Sequence, residues 1–165
     1  MMLWTGGLSF KKKMKLADFK RTSECIEGTV DGKPKKSELI SYTATIPLWG
    51  AGVNVTFRHD KTIEDLNQFV SSLSLMTDWI SQNKKLIEDH VVSDMLSLKN
   101  DVWLDDDEDP LSTKQFLSSI RPADMLVSAD GSVELFFDAG DLFFGHQIEV
   151  YILTDKTMDP AHLAG

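Results

Sequence analysis

The sequence predicts an α+β fold in which antiparallel strands from the N- and C-terminal thirds form one or more sheets packed against two or three central helices. Three observations predict it. Apolar residues alternate with polar ones in the first and last thirds and recur at helical spacing between them. Tight-turn dipeptides separate the strand-like segments, which is typical of antiparallel pairing. The order of strands, then helices, then strands is common among α+β proteins.

The first third is predicted to form three strands. Cys25–Val30 precedes Asp31-Gly32, a dipeptide typical of tight hairpin turns, although Pro34 soon after suggests a longer loop. Leu39–Leu48 is rich in β-branched and aromatic side chains. In Val53–Phe57, apolar residues alternate with polar ones, which predicts a half-buried antiparallel strand.

The middle of the chain is predicted to form two helices, or one bent helix. Apolar residues recur at helical spacing over Ile63–Ile80 and again over Ile87–Val102. The polar Ser81-Gln82-Asn83 separates the two runs, and one unbroken helix across both would be unusual in a domain of this size. We therefore expect a break near residues 81–83.

Two capping-box patterns indicate where helices begin. Thr62 is followed three residues later by Asp65, whose carboxylate also suits the positive end of a helix. Ser112 is followed by Gln115, at the start of an apolar run that ends at Ile120. A third, short helix is therefore predicted from Ser112.

The last third is predicted to return to strands. Asp130-Gly131 is the strongest hairpin signal in the chain and links Met125–Ser128 with Val133–Phe137. Ala139-Gly140-Asp141 is expected to turn the chain into a final strand over Leu142–Leu153.

The length of 165 residues predicts a single domain over 1–165, in which residues 1–22 form a loosely ordered basic segment. The single cysteine, Cys25, excludes an intramolecular disulfide framework and a Cys-rich zinc module, and we expect its thiol to be reduced and buried.

The apolar Met1–Phe10 precedes a basic run, which is the reverse of a secretory signal. We expect a cytoplasmic protein that does not associate with membranes.

The net charge of -9 is unevenly distributed. Residues 11–36 contain nine basic and four acidic residues, whereas residues 100–165 contain 14 acidic and three basic ones. This balance argues against nucleic-acid binding, because phosphate contacts need a basic face. Two interpretations remain, namely simple solubility or an acidic face that steers a basic protein partner.

The acidic run over residues 105–109 invites comparison with a calcium-binding loop. Asp105, Asp107 and Asp109 occupy positions 1, 3 and 5 of an EF-hand loop. Position 6 is then Pro110 instead of glycine, and position 12 is Phe116 instead of a bidentate glutamate. The EF-hand interpretation fails; a looser cation site stays open, but a solvated loop or a contact surface for a basic partner is favoured.

The sequence contains no signature of catalysis. Its four histidines form no HExxH pair, no Gly-x-Ser-x-Gly elbow is present, and the glycine-rich segments lack a phosphate-loop frame. We therefore predict a protein that is not an enzyme, with no catalytic residue, no cofactor and no metal site.

His146 has two interpretations. On a strand over residues 142–153 it would share a face with Phe144 and Ile148, where a histidine is most often a hydrogen-bonded core residue. The alternative is a small enzyme or ligand-binding domain that uses His146 with a carboxylate such as Glu149 or Asp141, because histidine is a common proton-transfer group.

Two phenylalanine doublets, Phe136-Phe137 and Phe143-Phe144, carry a further prediction. Aromatic side chains mainly fill cores, but neighbours on a strand point to opposite faces. One member of each doublet is therefore expected to lie under a helix or to be exposed for binding.

The last part of the chain, from about Leu98, follows a family pattern. It reads Leu98-Lys99-Asn100-Asp101-x-Trp103-Leu104 before the acidic loop and Gly140-Asp141-Leu142-Phe143-Phe144-Gly145-His146-x-Ile148-x-Val150 after the hairpin. This resembles a bacterial domain-of-unknown-function family marked by a Leu-Phe-Trp-Gly-His-x-Ile signature, in which Phe144 replaces the commoner Trp. The signature residues here are Phe144, Gly145 and His146, and the resemblance implies no activity for them.

Small acidic α+β bacterial proteins of this kind are similar to immunity proteins encoded beside antibacterial toxins. This similarity implies a protein-binding protein that neutralises a cognate toxin by occluding it through an acidic surface. We expect Asp105, Asp106, Asp107, Glu108 and Asp109 to steer a basic toxin surface. The nearby Trp103 would anchor it, because aromatic residues contribute much of the energy of protein interfaces.

Overall fold

The structure is a computed structural model that describes residues 13–165, which form one seven-stranded sheet and three helices. The strands are β1 (Lys20–Val30), β2 (Lys33–Leu48), β3 (Ala51–Arg58), β4 (Arg121–Val127), β5 (Val133–Asp138), β6 (Gln147–Ile152) and β7 (His162–Ala164). The helices are α1 (Leu66–Gln82), α2 (Lys84–Val102) and α3 (Thr113–Ser119). The α+β fold class is confirmed.

The strands lie in the sheet in the order of the chain, from β1 to β7. Neighbours pair antiparallel except for β3 and β4, which are parallel. A parallel pair cannot be closed by a tight hairpin and needs a long crossover, and here all three helices lie in that crossover. The helices therefore divide an N-terminal antiparallel half of the sheet from a C-terminal one.

One face of the sheet joins the helices in a single hydrophobic cluster. Burial alternates along β3, β5 and β6, so that every second residue belongs to the core. The opposite side of the sheet, which we call the open face, is mostly polar. From the strand register it carries Thr45, Asn54, Thr56, Asp124, Leu126, Glu134, Phe136, Glu149 and Tyr151.

The helix starts follow one of the two predicted capping patterns. Ser112 and Gln115 form the expected capping box at α3. At α1 the prediction was wrong, because Asp65 itself is the N-cap and accepts hydrogen bonds from the backbone N–H groups of Asn67 and Gln68. The expected break is confirmed at Asn83, which ends α1 and precedes α2.

The predicted final strand over residues 142–153 is too long. Residues 140–145 form turns, and β6 begins only at Gln147. The backbone explains the difference, since φ is +51° at Phe144 and +90° at Gly145, in a region that extended strands do not use. His146 therefore follows a turn and does not share a strand face with Phe144.

The N-terminal predictions have a mixed outcome. Residues 1–12, part of the segment 1–22 expected to be loosely ordered, lie outside the described residues. From residue 13 the chain forms a 3-10 turn at Leu16–Asp18, buries Phe19 and enters β1. Cys25 is exposed, so the expectation of a buried thiol was wrong, because β1 extends past the core with both faces uncovered.

Candidate functional site

The acidic run lies in a loop after α2 that a buried lysine holds in place. Lys99, on the last turn of α2, is only 3% exposed. Its Nζ donates a hydrogen bond of 2.7 Å to the carbonyl oxygen of Trp103 and another of 2.7 Å to Oε2 of Glu108. The same Oε2 accepts from the backbone N–H of Asp105 at 3.3 Å. These bonds connect the helix end to both sides of the acidic turn.

A second clamp closes the loop at its base. The side chain of Asn100 accepts from the backbone N–H of Leu111 at 2.8 Å and donates to the carbonyl oxygen of Leu111 at 2.9 Å. Asn100 thus bonds Leu111 as a neighbouring strand would, joining the two ends of the loop. With Lys99 it fixes a segment that has no regular secondary structure of its own.

The loop separates its five carboxylates into two kinds. Glu108 turns towards the protein, and hydrogen bonds from Lys99 and from the backbone of Asp105 hold the pKa of its carboxyl below the usual value. The side chains of the other four acids are exposed and make no hydrogen bond or ion pair with any residue from 13 to 165. They are Asp105, Asp106, Asp107 and Asp109. The free charge of the loop is therefore that of four aspartates directed to solvent.

The signature turn places its two phenylalanines in opposite environments. Phe143 is fully buried, whereas Phe144 is 68% exposed. A non-glycine residue with left-handed φ has unfavourable contacts between Cβ and its own backbone, so the turn holds Phe144 outward at some energetic cost. One member of each doublet leaves the core, but not as expected. Phe144 is exposed on a turn and not by strand alternation, and Phe136 is half-buried on the open face while Phe137 is fully buried.

Trp103 joins the acidic loop to the signature turn. Its ring centroid lies 5.7 Å from that of Phe143, 5.6 Å from that of Phe144 and 5.8 Å from that of His146. Trp103 is itself half-buried, and the preceding Val102 is 70% exposed. The structure thus brings together the two groups of residues singled out in the sequence. We call Val102, Trp103, Phe144, His146 and the acidic loop the aromatic-acidic surface.

The carboxylates considered as partners of His146 do not join it. Oε2 of Glu149 lies 3.3 Å from Nε2 of His162, across the pairing of β6 with β7 on the open face. Asp141 is exposed, and its side chain makes no hydrogen bond or ion pair with the residues that the structure describes. His146 instead packs edge-on against Trp103.

Sequence reasoning missed the parts that hold the loop. Lys99 and Asn100 stand in the quoted pattern, but on a helix end both look like ordinary surface residues. The available signal was the position of Lys99, one helical turn after Met95, which places it on the buried stripe of α2. A lysine on a buried stripe predicts a nearby acid or carbonyl partner.

Two further properties concern metals and membranes. In residues 13–165 no group of three or more His, Cys, Asp or Glu side chains is placed to hold a metal ion. Among the described helices, none is both long enough and apolar enough to cross a bilayer.

Comparison with known proteins identifies the family. The family model described as an uncharacterized protein conserved in bacteria (DUF2262) matches residues 36–163. The chain belongs to this family. No curated protein and no solved structure matches it.

The range matched by DUF2262 includes the whole aromatic-acidic surface, from Val102 to His146. It also includes Lys99 and Asn100, so the clamps of the loop lie within the part that the family describes. Strand β1 and the turn after it lie outside the range.

Proposed function

We propose that the aromatic-acidic surface binds the basic face of another protein, and that the chain is an immunity-type protein that neutralises a cognate bacterial toxin by occluding it. The observation that carries the proposal is the exposed Phe144 ring, which contacts Trp103 where the chain enters the loop with four exposed aspartates. Exposed aromatic side chains that act as anchors, together with charged residues, are typical of protein-binding surfaces.

The fixed shape of the loop supports this interpretation. Binding with a mobile loop costs conformational entropy, whereas a loop already held by Lys99 and Asn100 loses less on association. The strained turn at Phe144 supports binding as well. An exposed aromatic ring in that position contributes little to folding, so contact with a partner explains the strain better.

The charge of the molecule supports a basic partner. Four exposed aspartates concentrate a large part of the net charge of -9 in one loop and create a local negative field there. Such a field accelerates association with a positively charged surface by roughly 10- to 1,000-fold at low salt. Rapid capture suits a protein that must reach a toxin in the cytoplasm before the toxin reaches its target.

The decisive experiment is growth rescue. Proteins retained by the immobilised chain from the native bacterium are identified and each is expressed alone in a test strain. We expect at least one of them to arrest growth and co-expression of this chain to restore it. If no captured protein is toxic, or if the chain does not restore growth, the immunity role is wrong.

Matched variants then test the surface. In the triple variant Asp105→Lys/Asp106→Lys/Asp107→Lys, with Glu108 retained, we expect association to slow by about ten-fold or more and to lose its salt dependence. Phe144→Ala should instead speed dissociation, about thirty-fold if this ring is a central anchor. The control is Asp89→Lys, an exposed acid on the first half of α2. Equal association rates for the triple variant and this control across a salt series would exclude the loop from binding.

A further inference from the structure

The second half of β1, from Cys25 to Val30, and the start of β2, from Lys33 to Glu38, form a hairpin arm that extends past the core. All eleven residues of β1 are exposed, as are the first six residues of β2, Lys33–Glu38, and the turn between them. Residues on both faces of the arm are therefore in solvent, including the apolar Ile26 and Val30, which are 47% and 52% exposed.

Little in the described chain stabilises this arm. A two-stranded hairpin on its own is marginally stable in water. Apart from the ladder between the strands, the arm has two exposed ion pairs, Arg21–Glu38 at 3.6 Å and Lys36–Glu27 at 2.6 Å. Exposed pairs contribute at most about 1 kcal/mol each. Pairing with a further strand would therefore stabilise the arm.

The outer edge of β1 is open to such a strand. Within residues 13–165, β1 is the first strand of the sheet, pairs with β2 alone and has no strand at its other edge. Native edge strands are usually shortened, bulged or interrupted by proline. β1 has none of these three devices, since its register with β2 runs without a shift from Lys20 to Val30 and it contains no proline. It does carry charged side chains, which also limit indiscriminate pairing, so a strand that fits must match these charges.

The charges of β1 identify the strand that fits. Lys20 and Arg21 stand at its start, and Glu24 and Glu27 follow in its middle and second half. An antiparallel copy of the same strand brings Arg21 of each chain towards Glu27 of the other, whereas a parallel copy in register places each charged residue beside its own counterpart. We propose that β1 pairs antiparallel with β1 of a second copy, so that one sheet continues through a twofold dimer interface.

The register between the two β1 strands follows if they pair over their whole length. Pairing all eleven residues sets Lys20 opposite Val30 of the second copy and brings the two Cys25 residues opposite each other at the twofold axis. Arg21 then lies diagonal to Glu27 of the second copy on each side of the axis, within reach of a long side chain. The one like-charge diagonal is between the two Glu24 residues, so the two opposite-charge pairs outnumber it. Because β1 lies outside residues 36–163, the proposed dimer interface lies outside the part of the chain that the family model describes.

The full chain tests the proposal directly, because Cys25 is its single cysteine. Molecular mass is measured by light scattering or sedimentation across roughly a hundred-fold range of protein concentration, since dimerisation depends on concentration. The oxidant diamide, which takes up the two electrons and two protons of two thiols, is then added to form a disulfide. We expect a dimer by mass and rapid formation of a Cys25–Cys25 crosslink.

The matched control is Cys25→Ser/Thr29→Cys, which moves the thiol four residues along the same face of β1. In the proposed register two cysteines at position 29 are about 26 Å apart, at 3.3 Å per residue, so crosslinking should be at least about ten-fold slower. Cys25→Ser should remain a dimer with no crosslink. A monomer at every concentration overturns the proposal. So does a dimer in which both cysteine positions crosslink equally fast, or in which position 29 crosslinks faster.

Discussion

Phe143 and Phe144 are adjacent in the chain but contribute to different properties. Phe143 is completely buried against Trp103, so Phe143→Ala should lower the free energy of unfolding by about 3–5 kcal/mol. Phe144 is mostly exposed at a left-handed φ, so Phe144→Ala should change it by less than about 1 kcal/mol. Urea denaturation followed by circular dichroism measures both. A large loss in Phe144→Ala would mean that its ring serves the core and not a partner.

Lys99 organises the acidic loop from inside the protein. Lys99→Met keeps the length of the side chain but removes both short hydrogen bonds, so we expect the free energy of unfolding to fall by about 1–2 kcal/mol. Limited proteolysis should show faster cleavage within residues 104–110. The control is Lys114→Met on the exposed side of α3, which should change neither quantity.

The pKa of Glu108 gives a second test of the interaction between Lys99 and the acidic loop. Because hydrogen bonds lower this pKa in the folded protein, the carboxylate stabilises the fold above its ordinary pKa, and this contribution is lost as pH falls through the lowered value. An NMR titration of the Glu108 carboxyl should therefore shift towards the ordinary value in Lys99→Met. An unchanged titration would show that Lys99 does not act on Glu108.

At the scale of elements, the sequence correctly predicted the features that depend on interactions between residues close together in the chain. The Asp31-Gly32 turn, the Ser112 capping box and the break at Asn83 depend on few neighbouring residues, and all three occur. The α1 start was misplaced because Thr62 and Asp65 both suit an N-cap, and only the folded chain chooses between them. The strand predicted through Phe144 does not form. The sequence does not reveal this, because a turn with positive φ can contain the same apolar residues as a strand.

The functional surface could be predicted only in its parts. Trp103 and the acidic run are neighbours in sequence, but the Phe144 turn lies about 40 residues further along, and no local pattern places it against them. Their contact depends on the crossover that makes β3 and β4 parallel, a pairing between distant segments. The inward turn of Glu108 likewise depends on Lys99, whose burial is set by tertiary packing.

The open face of the sheet carries a pair of carboxylates that should weaken it. Burial raises the pKa of Glu134, and the negative charge of Glu149, diagonal to it across β5 and β6, raises it further. A raised pKa means that the charged form is disfavoured, so the cost is absent below the ordinary pKa and complete above the raised one. Glu134→Gln should therefore increase the free energy of unfolding at neutral pH, by up to about 1 kcal/mol.

Urea denaturation at several pH values tests this expectation. The gain of Glu134→Gln over the wild type should vanish as pH falls below the ordinary pKa of a glutamate. Glu64→Gln, an exposed residue before α1, serves as the control and should show no gain at any pH. A gain in Glu134→Gln that is the same at every pH would point to a hydrogen bond of the new amide and not to relief of charge.

At the scale of the whole molecule, the arm and the body should behave as separable parts. Replacing residues 25–38 by Asn-Gly joins Glu24 to Leu39, which are already opposite each other in the β1–β2 ladder. All the removed residues are exposed, so no core contact is lost, and the new dipeptide suits a two-residue hairpin. At low protein concentration, the free energy of unfolding should stay within about 1 kcal/mol of the wild type.

This shortened variant also separates the two proposals made for the molecule. Because the aromatic-acidic surface lies wholly outside residues 25–38, the variant should restore growth as well as the full chain does, yet it should be monomeric. The comparison variant is Phe57→Ala in β3, whose fully buried ring should cost about 3–5 kcal/mol. If shortening the arm destabilises the protein as much as Phe57→Ala does, the arm folds as part of the core. If growth rescue is lost while stability and solubility are kept, the arm belongs to the toxin-binding surface.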